Sequence, residues 1–259
     1  ASILANAGYL VYVPYIEDYM KLEITANTHK DFILCFDHLF NNSTRLKNIK
    51  PFVFSLSFGS MLAFRLANNI ERADKIGKLF VFGGYGKWTT TCQAIIQNTE
   101  RNRLSSEFLD HRSIPVIFNH LIKNHLKKQT WKDEHIFKKK LTEFIKYIWD
   151  KDKFIDYNFY KNEVSKRANN MQTAQKKFFL QCCGLTDDTY ELFVEYTKDK
   201  QHDFLDSLSS SEHIQCPIYL VHSKHDTVIP TKEFYHIKEC LPKKHLKMAF
   251  LTSLYGHTE

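Results

Sequence analysis

The chain of 259 residues has no run of about 18 apolar residues, so it offers no transmembrane helix. It opens Ala1-Ser2-Ile3-Leu4-Ala5, without a basic segment followed by a long apolar stretch, and so has no visible signal peptide. A cytoplasmic placement is expected on that basis. None of its six cysteines (Cys35, Cys92, Cys182, Cys183, Cys216, Cys240) stands in a C-x-x-C pair. Their spacing suggests neither a zinc site nor a dense disulfide framework, and reduced, mostly buried thiols are expected. The sequence also lacks G-x-G-x-x-G, G-x-x-x-x-G-K-[ST] and H-E-x-x-H. No cofactor and no metal is therefore expected. The stretch Gly83-Gly84-Tyr85-Gly86 is too short and wrongly patterned to cradle a phosphate.

Charge is less informative. The net charge is +7, with part of the excess in helical stretches such as Lys138-Lys139-Lys140. A solvated helix face explains those lysines, and no nucleic-acid recognition motif accompanies them. The expected partner is a small molecule, not a nucleic acid.

Three regions follow one another. In residues 1–87, residues 2–7 read as the end of a helix closed by Gly8. Strands are predicted over Tyr9–Val13, Pro51–Leu56 and Lys78–Phe82, each an apolar, β-rich run of strand length. Apolar residues at helical spacing predict a helix over 28–41, and another over Met61–Asn69. Residues 88–212 hold one proline (Pro115) and show helical periodicity over Val116–Leu126, His135–Trp149, Ala174–Cys183 and Thr189–Tyr196. So long a segment cannot be a bare loop, and it reads as an inserted helical subdomain whose aromatics mostly form its own core. Residues 213–259 return to strand (Pro217–Val221), helix (Thr231–Cys240) and strand (Leu246–Leu251). Strands alternating with helices predict an α/β fold with a mostly parallel sheet and flanking helices.

Three residues carry the chemistry. Ser57 sits in Ser55-Leu56-Ser57-Phe58-Gly59, between a strand and a helix. A nucleophile elbow needs that context, with small residues on either side where backbones crowd. Phe58 N–H would then face an oxyanion. Read alone, Ser57 is equally a helix N-cap. Asp226 lies just past a predicted strand, in Val221-His222-Ser223-Lys224-His225-Asp226-Thr227-Val228-Ile229-Pro230. Ligands meet open α/β sheets at strand carboxyl ends, although an Asp there also caps turns. His257 follows the last predicted strand, in Tyr255-Gly256-His257-Thr258.

The order Ser57, Asp226, His257, together with segments 7–14, 54–60, 216–230 and 256–257, resembles the α/β-hydrolase superfamily over essentially the whole chain. The resemblance implies a serine hydrolase acting on an ester or thioester. Ser57 would be the nucleophile, His257 the base, Asp226 the orienting acid and Phe58 an oxyanion donor. Within the resemblance, Tyr9–Val13 corresponds to the family's fourth strand. The helical region corresponds to a cap after its sixth strand, and the last two strands to its seventh and eighth. Some members carry the acid after the sixth strand, but Gly83-Gly84-Tyr85-Gly86-Lys87 offers no carboxylate there. Ser55 departs from the family's usual glycine. The early strands and the loop giving the second oxyanion N–H have no counterpart here, so the resemblance also implies that this sequence begins after them. An acyltransferase with the same triad, or a non-catalytic scaffold on the same fold, are the alternatives.

Overall fold

The computed structural model describes residues 1–42, 49–101, 109–122, 134–151, 156–198 and 202–256. The chain divides into two compact units, Ala1–Ile49 and Lys50–Glu259.

The first unit holds α1 (Ser2–Asn6), α2 (Glu17–Met20) and α3 (Thr28–Asn41). Gly8 follows α1 with φ +88°, the left-handed conformation that a glycine takes without penalty and that ends a helix. α3 coincides with the predicted helix. Tyr9–Val13, predicted as a strand, is not one, and Leu10 is 80% exposed. β-propensity alone does not make a strand, because its backbone groups need a ladder partner. Among the described residues this unit holds no other strand to supply one.

The second unit is built on β1 (Phe52–Leu56), β2 (Lys78–Phe82), β3 (Ile218–Ser223) and β4 (Leu246–Thr252), in that spatial order and all parallel. These are the four strands predicted for this stretch. The register pairs Leu56 with Phe82, Phe82 with Val221 and Val221 with Phe250, so all four carboxyl ends lie at one end of the sheet. A residue following any of these strands is thereby brought to a common edge.

Alternation separates two faces. Leu79, Val81, Ile218 and Leu220 are buried, and α4 (Ser60–Ala67) and α11 (Lys232–Cys240) pack on this side. The opposite side carries Phe52, Phe54, Phe80, Phe82, Tyr219 and Phe250, with Phe80 stacked on Tyr219 at 4.7 Å and Phe54 51% exposed.

Gly84, just past β2, packs closely against the start of α4. A Cβ there would lie 2.6 Å from Val81 Cγ1 and 2.8 Å from Ser60 Cβ. Both neighbours are short, packed side chains with little room to move. Gly84→Ala is expected to cost about 1–3 kcal/mol by overpacking, read as a lowered melting temperature.

Between β2 and β3 run α5 (Trp88–Arg101), α6 (Ser113–Leu121), α7 (Glu134–Trp149), α8 (Tyr157–Ala168), α9 (Thr173–Cys182) and α10 (Thr189–Thr197). The predicted helices over 135–149, 174–183 and 189–196 are α7, α9 and α10. That over 116–126 is α6, starting three residues earlier, and its residues 123–126 lie outside the described ones. α5 and α8 went unread. The aromatics do pack on one another, with Phe144 against Phe179 at 5.7 Å and Phe137 against Phe178 at 5.2 Å. Tyr160 Oη donates to Cys183 O at 2.9 Å, which satisfies a phenol in a dry core. All six cysteines are free thiols, four of them buried. No helix among the described residues is long and apolar enough to cross a membrane.

Candidate active site

Leu56 ends β1 in extended conformation, and Ser57–Gly59 then form one 3₁₀ turn before α4 begins at Ser60. Ser57 has φ +50°. A side chain in that region crowds the backbone at a cost of order 1–2 kcal/mol, so it persists only where the surroundings hold it. The N-cap positions of the 3₁₀ turn and of α4 belong to Leu56 and Gly59. Ser57 is therefore not the helix N-cap, the alternative left open by its sequence. Ser55 is buried and its hydroxyl donates to Phe80 O at 3.3 Å. The Ser55 hydroxyl thus adds a tie between β1 and β2.

Phe58 follows Ser57 directly. Its ring lies 5.6 Å from the ring of His120 on α6, parallel within 5°, and 5.4 Å from that of Tyr85. Tyr85 is fixed in turn, its hydroxyl donating to Leu205 O at 2.7 Å. The helical segment thus reaches the residue next to Ser57. Burial, then the nearby His202 and Lys138, push His120 down to about 4. Its folded pKa lies below the ordinary value of 6.5, so between these two values the unfolded chain binds more protons than the folded one. Stability should therefore fall with pH across that window, by about 3 kcal/mol at full effect. Urea midpoints measured from pH 7 to pH 4 should decline less steeply in His120→Phe than in the wild type.

Asp226 lies three residues beyond β3 and is buried. Its Oδ1 accepts from Val228 N at 2.9 Å and Ile229 N at 2.8 Å, which fixes the carboxylate and the turn together. The turn-capping role that its sequence allowed is therefore real. It does not exclude chemistry, since a carboxylate held by backbone donors is rigid. Oδ2 lies 3.4 Å from Nε2 of His222, and neither side chain is exposed to solvent.

Ser57 follows β1 and Asp226 follows β3, at the same sheet edge with only β2 between them. Two strand spacings separate the strands, about 10 Å. That is a distance one imidazole and its two hydrogen bonds can largely span.

His257 lies outside the described residues. The approach to it is described. Beyond β4, Tyr255 O accepts from Ser223 Oγ at 2.5 Å, and the Tyr255 ring lies 6.2 Å from that of Phe82. Burial and the charge of Asp226 both push the Tyr255 phenol up. The chain two residues before His257 is therefore tied to the end of β3, beside Asp226.

Two residues at this edge escaped the sequence reading. His222 continues the buried alternation of Ile218 and Leu220, and a polar residue on an otherwise apolar strand face was the available signal. Ser223 gave none, because its role depends on a contact with Tyr255 that only the fold creates.

No protein-family model matches the chain, and no curated protein matches it. Solved structures do. A serine hydrolase from the polyaromatic-hydrocarbon-degrading bacterium Cycloclasticus zankles matches at 11% identity and TM-score 0.38, over 90% of this chain and 64% of its own. A meta-cleavage product hydrolase from Pseudomonas fluorescens IP01 matches at 13% identity and TM-score 0.36, over 87% and 64%. An acetylester hydrolase from Corynebacterium glutamicum matches at 13% identity and TM-score 0.36, over 88% and 60%. This chain spans less than two thirds of the length of each of the three.

Proposed function

We propose that the chain carries the nucleophile, acid and base of a serine hydrolase that cleaves a carboxylic ester or thioester. The observation that supports this most is Ser57 itself. It is a non-glycine residue at φ +50°, on a strand-to-helix turn, at the sheet edge that also bears Asp226. A serine with no chemical task would gain stability as glycine at that position.

In this reading His257 takes the Ser57 hydroxyl proton as Oγ attacks the carbonyl carbon. Asp226 holds the imidazole tautomer and stabilises the imidazolium. Phe58 N–H donates to the developing oxyanion. The tetrahedral species collapses, and His257 returns the proton to the departing alcohol or thiol. Water then attacks the acyl-enzyme, gives its proton to His257, and the acid leaves as Ser57 regains its hydrogen. The helices of residues 88–212 act as a cap, with His120 and Phe58 at its contact with the Ser57 turn.

Hydrolysis of ester and thioester series of increasing acyl length is the test. The wild type should turn over at least one series, and His257→Ala should lose that activity while melting as the wild type does. A folded wild type inert on every series, and unlabelled by a fluorophosphonate, would sink the proposal.

A further inference from the structure

The ring of His222 is buried against Phe234 at 6.4 Å, nearly edge-on, on the sheet face that carries Leu220. Its Nε2 faces two oxygens, Ile229 O at 3.1 Å and Asp226 Oδ2 at 3.4 Å. Both are acceptors, so Nε2 must carry the proton. Ile229 in turn gives its N–H to Asp226 Oδ1 at 2.8 Å. His222, Ile229 and Asp226 thus close a ring in which each member fixes the next. The 3.4 Å contact is longer than a full hydrogen bond, so the N–H is spent chiefly on the carbonyl. The carboxylate still feels its positive end, in a dry setting where that attraction is strong.

We infer that His222 is a positioning residue for the acid of the site: its Nε2–H, donated to Ile229 O, holds the turn whose backbone N–H groups fix the Asp226 carboxylate, and its positive end limits that carboxylate's basicity towards the base. This rests on the reading of Ser57, Asp226 and His257 as a triad. Among the described residues, the titratable neighbours of this carboxylate include His222 and, through its phenol, Tyr255. Removing the His222 donor leaves more negative charge on Asp226. That charge would hold the proton on His257 more tightly, so the neutral base would appear only at higher pH.

The experiment follows the rate of labelling by a fluorophosphonate against pH. It compares the wild type, Ser57→Ala, His222→Leu, His222→Asn and His222→Gln, with melting curves for each. His222→Leu keeps the volume and removes the donor. It should label roughly tenfold more slowly at pH 7, with a pH midpoint higher by about 0.5–1 unit. Glutamine can bring an N–H to the place of Nε2 and should restore most of the rate and the midpoint. Asparagine is too short to reach and should behave as leucine does. Leucine and asparagine variants with wild-type rates and midpoints would overturn the inference while leaving the triad intact. Loss of cooperative melting in all three would make His222 a packing residue and would also overturn it. A wild type that does not label, or a Ser57→Ala variant that does, removes the triad reading and this inference with it.

Discussion

Ser57→Ala should remove fluorophosphonate labelling altogether and lower ester turnover by about 10⁴–10⁶-fold, with the fold unchanged. On the proposed reading, the size of the effect follows from covalent catalysis. Without Oγ there is no acyl-enzyme, and what survives is binding and whatever oxyanion stabilisation Phe58 N–H supplies. Stability should move in a way that tells a strained nucleophile from an ordinary turn residue. Alanine keeps a Cβ at φ +50° and so keeps the strain. Ser57→Gly removes it, and should melt higher than Ser57→Ala by the equivalent of about 1 kcal/mol while being just as inactive. A Ser57→Ala variant that still hydrolyses the best wild-type substrate at a similar rate would end the nucleophile assignment.

The largest loss of stability is expected away from Ser57, at Asp110. Its carboxylate receives Arg112 Nε at 3.0 and 2.8 Å, an Arg112 terminal nitrogen at 2.5 Å, and Arg112 N at 2.9 Å. Their side chains are 10% and 5% exposed. The guanidinium also lies over the Trp149 ring at 4.5 Å, and Trp149 Nε1 donates to Arg112 O at 3.2 Å. Asp110→Ala leaves that buried cation without its carboxylate, at a cost of about 3–5 kcal/mol. Removing both charges together, as in Asp110→Leu with Arg112→Met, should recover most of the loss, because desolvation of the pair disappears with it. Denaturant titration of the single and double variants separates the two results. Additive losses in the double variant would show that the pair is not coupled. Because Asp110 N also donates to Thr227 O at 2.5 Å, the single variant should disturb the turn that holds Asp226 as well.

The sheet was legible because β1 to β4 are short apolar runs bounded by turn residues, a pattern that belongs to strands buried in a parallel sheet. The same rule failed at Tyr9–Val13, where composition matched but the described residues of its unit hold no strand to pair with. Propensity describes a residue's fitness for a pleated surface and says nothing about whether one is available. Helices α5 and α8 were missed for a different reason. α8 has only Tyr160, Val164 and Ala168 buried on an otherwise polar surface, too narrow a stripe to stand out. At the candidate site, the placement of Ser57 after β1 and of Asp226 after β3 was legible because a turn and a strand end leave local traces. The ring of His222, Ile229 and Asp226, and the tie from Ser223 to Tyr255, leave none. They are made by side chains and backbone that meet only once β3, its turn and the segment after β4 have been assembled.

The way the helical segment enters and leaves the sheet has a consequence for how such a chain can change over generations. Leu208 N donates to Gly86 O at 3.0 Å, Trp88 N donates to the Asp206 side chain at 2.8 Å, and Ser60 and Ser207 share a hydrogen bond of 3.2 Å. More than a hundred residues therefore leave and return through a neck one hydrogen bond wide. Closing that neck costs about the same entropy for a short excursion as for a long one, since the cost grows only with the logarithm of length. A lineage could trade these helices for others, of different size and shape, without re-registering a single strand. The strand register that sets Ser57 and Asp226 at one end of the sheet would be inherited intact, while the tie from Asp110 to Thr227 would have to be kept or rebuilt.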